Sequence, residues 1–183
     1  MKILLHICCA PCSVMSIKAL RDEGHDVTGY WYNPNIHPAT EYLARLEQLE
    51  SYAKTIELPL IVNDYYGLEM FLENVNNDIE NRCDFCYRER LRVTAKTAKE
   101  KGFDAFCSTL FISPYQKHEE MHSIALEIAQ KEGIAFHYVD FRPYYKDGRE
   151  FARNQGFYMQ KYCGCIFSEH DRYKKKLANR SRG

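Results

Sequence analysis

Apolar runs and helical spacings alternate along this chain. Short apolar runs predict strands at 2–8, 26–32, 58–63, 103–110 and 135–141. Apolar positions three and four residues apart predict helices at 11–24, 39–57, 67–75, 86–101, 117–132 and 169–178. Strands that alternate with helices indicate an α/β fold with a mostly parallel five-stranded sheet flanked by helices. Such sheets bind ligands beyond the carboxyl ends of their strands, near the point where the strand order reverses.

The length of 183 residues suits one domain, and no linker or repeat divides it. We expect a single α/β domain over 1–183 with a basic C-terminal tail from about 172. The 25 Lys and Arg balance the 25 Asp and Glu, so net charge argues neither for nor against a nucleic-acid partner. The tail has "RYKKK" at 172–176, then Arg180 and Arg182. It is a solvated helix end in the simpler interpretation and a phosphate-binding segment in the alternative.

The N-terminus shows no pattern typical of a signal peptide, because cysteines follow Lys2 after only a short apolar stretch. No apolar run is long enough to span a membrane, so we expect a cytoplasmic protein. Thiols stay reduced in the cytoplasm, and the eight cysteines are therefore not expected to form disulfides. Clustered cysteines in that compartment bind metal or perform redox chemistry.

Seven of the eight cysteines fall into three motifs, "CCAPC" at 8–12, "CDFC" at 83–86 and "CGC" at 163–165. Cys-x-x-Cys spacing lets two thiolates reach one metal across a turn. A tetrahedral zinc or a 4Fe–4S cluster takes four protein ligands at most. Seven clustered thiols therefore predict two metal centres, or one centre with three redox-active or structural thiols. Cys107 stands alone in a predicted strand, which is typical of a small buried apolar residue.

The first motif follows the first predicted strand. Cys8 and Cys9 would point to opposite faces of a regular strand, so both face one site only if the strand has ended, or each serves a different centre. Cys12 falls in the first turn of the next helix, where the helix dipole favours a thiolate. The chain contains neither a G-x-x-x-x-G-K-[ST] nor a G-x-G-x-x-G phosphate loop. We expect a metal at this place instead of a nucleotide.

The stretch "HEEMH" at 118–122 matches the H-E-x-x-H pattern of zinc proteases. The match is short, lies in a charged amphipathic helix and has no third ligand nearby. We interpret His118 and His122 as part of the solvent face of that helix.

Six blocks, in order, resemble the QueH-type epoxyqueuosine reductases. They are "LLHICCAPCS", "YNPNIHPATEYLARLE", "RCDFCYRERL", "GFDAFCSTLFISPYQ", "DFRPYY" and "QKYCGCIFS". The resemblance runs from about Ile3 to Ser168. It implies a HUP-like (Rossmann-like) domain that holds a 4Fe–4S cluster and a neighbouring mononuclear iron. Carried over by motif, the metal ligands are Cys8, Cys9, Cys12, Cys83, Cys86, Cys163 and Cys165.

The resemblance also implies the reaction, which is reduction of epoxyqueuosine at the tRNA wobble position to queuosine, without cobalamin. The reaction takes two electrons, which an unidentified low-potential donor must supply, and an acid must protonate the departing oxygen. The candidate acids are Asp140 and Tyr115. For Asp140 the alternative is an ion pair with Arg142 or a capping role, and for Tyr115 it is packing or substrate stacking.

A base in an anticodon loop is splayed out, stacked on aromatic side chains and held by basic ones. Polar residues in the loop after the second strand are candidates for the substrate pocket, namely Asn33, Asn35 and His37. Turn formation is the alternative for both asparagines. The basic candidates are Arg142, Lys174, Lys175 and Lys176.

Two functions from other classes stay open at this point. One is an iron–sulfur tRNA sulfurtransferase, which would need ATP to activate the base, and the missing phosphate loop counts against it. The other is a non-catalytic zinc-binding module in which the thiols only join loops.

Overall fold

Five parallel strands form the sheet of this protein in a computed structural model that describes residues 1–180. The strands are β1 (Lys2–His6), β2 (Asp26–Trp31), β3 (Leu60–Val62), β4 (Ala105–Ser108) and β5 (Ala135–Phe136). Their order in the sheet is β3-β2-β1-β4-β5. The order reverses between β1 and β4, so the expected ligand crevice lies past the carboxyl ends of these two strands.

Within residues 1–180, seven α-helices flank the sheet. They are α1 (Ala10–Asp22), α2 (Ala39–Thr55), α3 (Leu68–Val75), α4 (Arg82–Glu100), α5 (His118–Glu132), α6 (Tyr145–Asn154) and α7 (Ile166–Arg180). Short 3₁₀ turns occupy Ile79–Asn81, Thr109–Ile112 and Arg142–Tyr144. The predicted fold class, a HUP-like (Rossmann-like) α/β fold with a five-stranded sheet, is confirmed. That residues 1–183 form one domain stays a prediction.

The central strand forms the middle of the core. Ile3, Leu4, Leu5 and Ile7 are completely buried, because helices cover both faces of a parallel sheet. Gly29 on β2 pairs with Leu5. A Cβ atom at Gly29 would lie 2.9 Å from Cδ1 of Leu60 and 3.0 Å from Cδ1 of Ile7. A side chain at this position would therefore require the side chains of Leu60 and Ile7 to shift.

Several predicted boundaries were wrong. β4 ends at Ser108 because the Ser108 hydroxyl accepts the Leu110 N–H at 3.2 Å and starts a 3₁₀ turn. β5 ends at Phe136, although the apolar run continues to Phe141. α4 begins at Arg82, four residues before the predicted start at 86, so the second cysteine motif lies in its first turns.

Helix α6 was missed, because its sequence "YKDGREFARN" is largely polar and was predicted to be irregular. α7 is longer than the predicted 169–178 and includes the basic run. Arg182 of the predicted tail lies outside the described residues. No helix within residues 1–180 combines the length and apolar character that crossing a bilayer requires.

Candidate metal centre

The first three cysteines converge just past the end of β1. The strand ends at His6, and Cys9 is the N-cap of α1 in an extended conformation. The strand has therefore ended before Cys8, and both neighbouring thiols face one site. Cys8 Sγ lies 3.8 Å from Cys9 Sγ, and the three sulfurs of Cys8, Cys9 and Cys12 all lie within 4.8 Å of one another. We call these residues the cysteine trio.

The thiols of the trio do not share protons equally. Hydrogen bonds from Cys12 and Cys9 lower the pKa of Cys8 well below its usual value. Burial raises the pKa of Cys9, and the hydrogen bond to Cys8 raises that of Cys12. That the helix dipole favours a thiolate at Cys12 stays a prediction. Three thiolates this close repel one another, and only a cation between them stabilises all three.

The polar side chains of Thr109 and Gln160 contact the sulfurs of the trio. The Thr109 hydroxyl accepts the Cys8 N–H at 3.3 Å and lies 3.5 Å from the Cys8 sulfur. Gln160 Nε2 donates to Cys9 Sγ at 3.1 Å and lies 3.8 Å from Cys12 Sγ. Within residues 1–180 the buried Oε1 of Gln160 has no hydrogen-bond partner. An unpaired buried oxygen beside three thiols indicates room for a further group that donates to it or binds it.

The other four clustered cysteines come from two elements. Cys83 and Cys86 lie in the first turns of α4, and Cys163 and Cys165 lie in the segment before α7. We call these four residues the cysteine quartet. Burial raises the pKa of Cys86 to about 12, against the opposing effect of the neighbouring Arg90 guanidinium. No three quartet sulfurs in the described chain approach as tightly as those of the trio.

Buried side chains of α2 hold the segment of Cys163. Arg45 donates to the carbonyls of Cys163, at 2.8 Å, and Tyr162, at 3.0 Å. Its third contact is Glu41, whose Oε1 lies 2.7 Å from Nε. Tyr158 donates a short hydrogen bond to the other oxygen of Glu41. Sequence reasoning missed this network, because Glu41 and Arg45 look like an ordinary surface pair at i and i+4.

His37 holds the other side of the same segment. Its backbone N–H donates to Gly164 O at 2.8 Å, and its Nδ1 accepts the Ile166 N–H at 3.2 Å. The ring is fully buried, and the remaining nitrogen lies 3.1 Å from Pro34 O. Asn35 is 4% exposed, and its Oδ1 has no partner within residues 1–180. Substrate binding by these two residues stays a prediction, but the ring of His37 already has a structural use.

Asn33 has a comparable use at the end of β1. Its amide donates to Ile7 O at 2.9 Å, and its oxygen lies 3.2 Å from His6 Nε2. His6 Nδ1 lies 3.0 Å from the Ser108 hydroxyl on β4. Asn33 is fully buried. It therefore joins the loop after β2 to the residue that precedes the trio, and its predicted contact with substrate stays untested.

One cavity of about 1290 Å³ connects the two cysteine groups. Cys8 and Cys12 of the trio and Cys163 of the quartet line it. In the described part of the chain, its wall carries seven Lys or Arg residues and one carboxylate, Glu150. The basic residues are Arg45, Arg90, Lys146, Arg149, Arg153, Lys161 and Arg172.

Helix α6 contributes three of these cations and an aromatic ring. Lys146, Arg149 and Arg153 recur on one side of the helix together with Tyr145. Tyr115 lies at the same cavity, 83% exposed, and its ring centre is 6.0 Å from that of Tyr145. The sequence signal was present in the i, i+3, i+7 spacing of these charges, but it was hidden because no apolar periodicity marked the helix.

The second candidate acid, Asp140, does not line this cavity. Its carboxylate accepts from Arg142 Nε at 2.8 Å and from Arg142 Nη2 at 2.7 Å. These hydrogen bonds lower the pKa of Asp140 below its usual value. An ionised carboxylate has no proton to give, so the ion pair that was the alternative interpretation describes Asp140 and Arg142 here.

The lysine run lies on α7. Lys174, Lys175 and Lys176 are exposed, and Lys174 pairs with Asp171 at 3.0 Å. Arg172 on the same helix reaches the cavity, whereas the three lysines do not line it.

The H-E-x-x-H stretch forms no metal site among the described residues. The expectation that its histidines face solvent was wrong for His118, whose side chain is 6% exposed. Its ring packs edge-on against Phe111 with centres 5.1 Å apart.

Comparison with known proteins identifies close relatives. The family model described as "Epoxyqueuosine reductase QueH" matches residues 3–171. A relative of that name from Dehalococcoides mccartyi is 40% identical, over 95% of this chain and 96% of its own length. The one from Histophilus somni is 35% identical, over 97% of this chain and 76% of its own length. The one from Thermotoga maritima is 31% identical, over 99% of this chain and 97% of its own length.

A solved structure shares the fold. It is described as a predicted subunit of tRNA methyltransferase from Methanocaldococcus jannaschii, with a TM-score of 0.55. The match covers 99% of this chain and 88% of that one at 14% identity. At this identity the likeness shows the fold alone.

We predict that Asn33→Ala destabilises the protein. The substitution leaves the buried Ile7 carbonyl unpaired, which costs about 1–3 kcal/mol. Urea unfolding measures the loss, and exposed Asn77→Ala is the control, with a change below about 0.5 kcal/mol. Unchanged stability together with impaired substrate binding would show instead that Asn33 belongs to the substrate pocket.

We also predict that Cys107→Ala retains the bound metal. Cys107 is fully buried in β4, and burial raises the pKa of its thiol to about 12, so the thiol is neutral. The variant loses about 1–2 kcal/mol of unfolding free energy through the small cavity. Metal analysis of this variant beside Cys9→Ala checks the assignment. A loss of metal from Cys107→Ala as large as that from Cys9→Ala would make Cys107 a ligand.

Proposed function

This chain belongs to the epoxyqueuosine reductase QueH family, and we propose that its substrate is epoxyqueuosine at the wobble position of a tRNA anticodon. It is an oxidoreductase, an epoxyqueuosine reductase, and its product is queuosine. The observation that carries the proposal is the single cavity in which thiols of both cysteine groups meet a basic, tyrosine-bearing wall. We place the reaction in the cytoplasm, where thiols stay reduced.

The metal ligands of the proposal are the trio and the quartet together. Seven thiols exceed the four that one tetrahedral centre takes, which supports a 4Fe–4S cluster with a neighbouring iron. The residues fit such groups, because the trio is compact and buried, and Gln160, which donates to Cys9 Sγ, has a buried Oε1 with no partner within residues 1–180. When bound, the cluster supplies electrons one at a time at low potential, and the further iron supplies a Lewis acid. A low-potential donor, which is unidentified, delivers the two electrons.

The chain itself binds and orients the nucleotide. Lys146, Arg149 and Arg153 attract the phosphates on either side of the splayed base, because phosphate contacts dominate nucleic-acid affinity. Tyr115 and Tyr145 offer faces on which the base stacks. The lysines of α7 extend this positive surface beyond the cavity.

Tyr115 is the proposed proton donor to the departing oxygen. It lines the cavity, whereas Asp140 lies outside it and is bound to Arg142. The phenol also serves the stacking role, since the ring and the hydroxyl are separate parts of the same side chain.

We predict turnover without ATP or cobalamin. Protein prepared without oxygen carries iron and sulfide, and with a strong one-electron reductant it converts epoxyqueuosine in tRNA to queuosine. Mass spectrometry of nucleosides from the digested tRNA measures the product. Cys9→Ser and Cys12→Ser lose iron and turnover, because a serine hydroxyl is protonated at neutral pH and is a poor ligand.

Two results would contradict this function. Stoichiometric zinc with negligible iron would show that the protein is the non-catalytic zinc-binding module instead. The second result is a fully metallated, reduced protein that leaves the epoxide unchanged and needs ATP to modify tRNA. It would show that the protein is the sulfurtransferase instead.

We predict that α6 contributes more to tRNA binding than the lysine run of α7. Replacing Lys146, Arg149 and Arg153 with glutamine weakens binding and reduces the salt slope of log affinity by about three, one for each phosphate contact. The same change at Lys174, Lys175 and Lys176 gives a smaller reduction. Filter binding over a range of salt concentrations measures both slopes.

The control removes equal charge elsewhere. Lys96, Lys101 and Lys131 are exposed and do not line the cavity. Their triple substitution leaves the slope nearly unchanged if the surface is local. Equal effects of all three triple variants would show that general charge, not the α6 surface, attracts the tRNA.

A further inference from the structure

Arg90 lies between the two cysteine groups on the inner side of α4. It follows Cys86 by one helical turn, and its Nη2 donates to Cys86 Sγ at 3.2 Å. Its Nε donates to the Cys86 carbonyl at 3.0 Å. The residue is 3% exposed, and it lines the cavity together with Cys8, Cys12 and Cys163.

This buried guanidinium has no carboxylate partner. None of the ion pairs formed within residues 1–180 involves Arg90. The comparable buried arginine, Arg45, has Glu41 at 2.7 Å. An arginine stays charged in proteins, and a buried charge without a partner is strongly unfavourable. Arg90 therefore needs an anion that the carboxylates do not provide.

Thiolates are the groups that meet this need. Arg90 donates to Cys86 Sγ of the quartet, and it lines the same cavity as Cys8 and Cys12 of the trio. A single guanidinium therefore lies close to both groups. A neutral thiol would give Arg90 little compensation, whereas a metal-bound cysteine is a thiolate permanently.

We propose that Arg90 is the counter-charge of the metal centre: its hydrogen bond to Cys86 Sγ and its positive charge help to retain the bound iron and make the centre easier to reduce. The inference rests on the proposed iron-containing reductase. Hydrogen bonds to cysteine sulfur and nearby positive charge both stabilise the reduced, more negative state. Arg90 is thus a positioning residue, because it acts through the ligands and not on the nucleotide.

The test compares Arg90→Met, which removes the charge at similar volume, with Arg90→Lys, which keeps it. Arg92→Gln is the matched control, because Arg92 lies on the same helix and pairs with Glu89 at its surface. Each full-length protein is reconstituted with iron and sulfide without oxygen. Iron loss to a chelator and an EPR-monitored redox titration are then measured, and the melting temperature is taken after complete chelation.

We expect Arg90→Met to lose iron at least tenfold faster than the parent protein. At a fixed potential its ratio of reduced to oxidised cluster falls at least tenfold, which for one electron corresponds to about 59 mV. After chelation the same variant melts at an equal or higher temperature, because the unpaired charge is gone. Arg90→Lys stays within about threefold of the parent protein in both iron measurements, and Arg92→Gln matches the parent.

The change in melting temperature of chelated Arg90→Met distinguishes this role from a structural one. If Arg90 only supported the fold, Arg90→Met would melt lower after chelation or fail to fold, and either result overturns the proposal. Unchanged iron retention and redox titration in Arg90→Met overturn it as well. A parent protein that binds no iron is a failure of the proposed function, whereas an active, iron-loaded parent with an unaffected Arg90→Met is a failure of this inference alone.

Discussion

Repulsion between closely spaced thiolates is the constraint on which this structure depends. The three sulfurs of the trio lie within 4.8 Å of one another in a buried position, where charge is poorly screened. Hydrogen bonds from Cys12 and Cys9 are the main reason that the pKa of Cys8 is low. A cation removes this restriction for all three, so the most unusual feature of the site is resolved by metal binding.

The fold provides the place for that chemistry. The sheet order reverses between β1 and β4, and the trio follows β1 at this point. Arg45 and His37 then secure the segment of Cys163 and Cys165 across the opening. Rigid supports matter here, because the proposed ligands come from three separate parts of the chain. The phosphate-binding glycines of other α/β proteins are replaced by thiols at the same topological position.

Parts of this site were accessible from sequence, and others depended on tertiary contacts. Motif spacing identified the seven clustered cysteines, and strand–helix alternation predicted the parallel sheet. Helix α6 was missed because its periodicity is one of charge, which standard apolar patterns ignore. Asn33 and His37 were predicted to be pocket residues because they are polar and lie in a loop, and both are fully buried. No local pattern reveals that a loop will fold back onto the end of β1.

The most direct test of the central claim is to locate iron in crystals grown without oxygen. Anomalous scattering measured on both sides of the iron absorption edge identifies the element and its position. We predict iron at both cysteine groups, with the trio and the quartet as ligands around the shared cavity. Iron at neither group, or an anomalous signal that belongs to zinc, would contradict it.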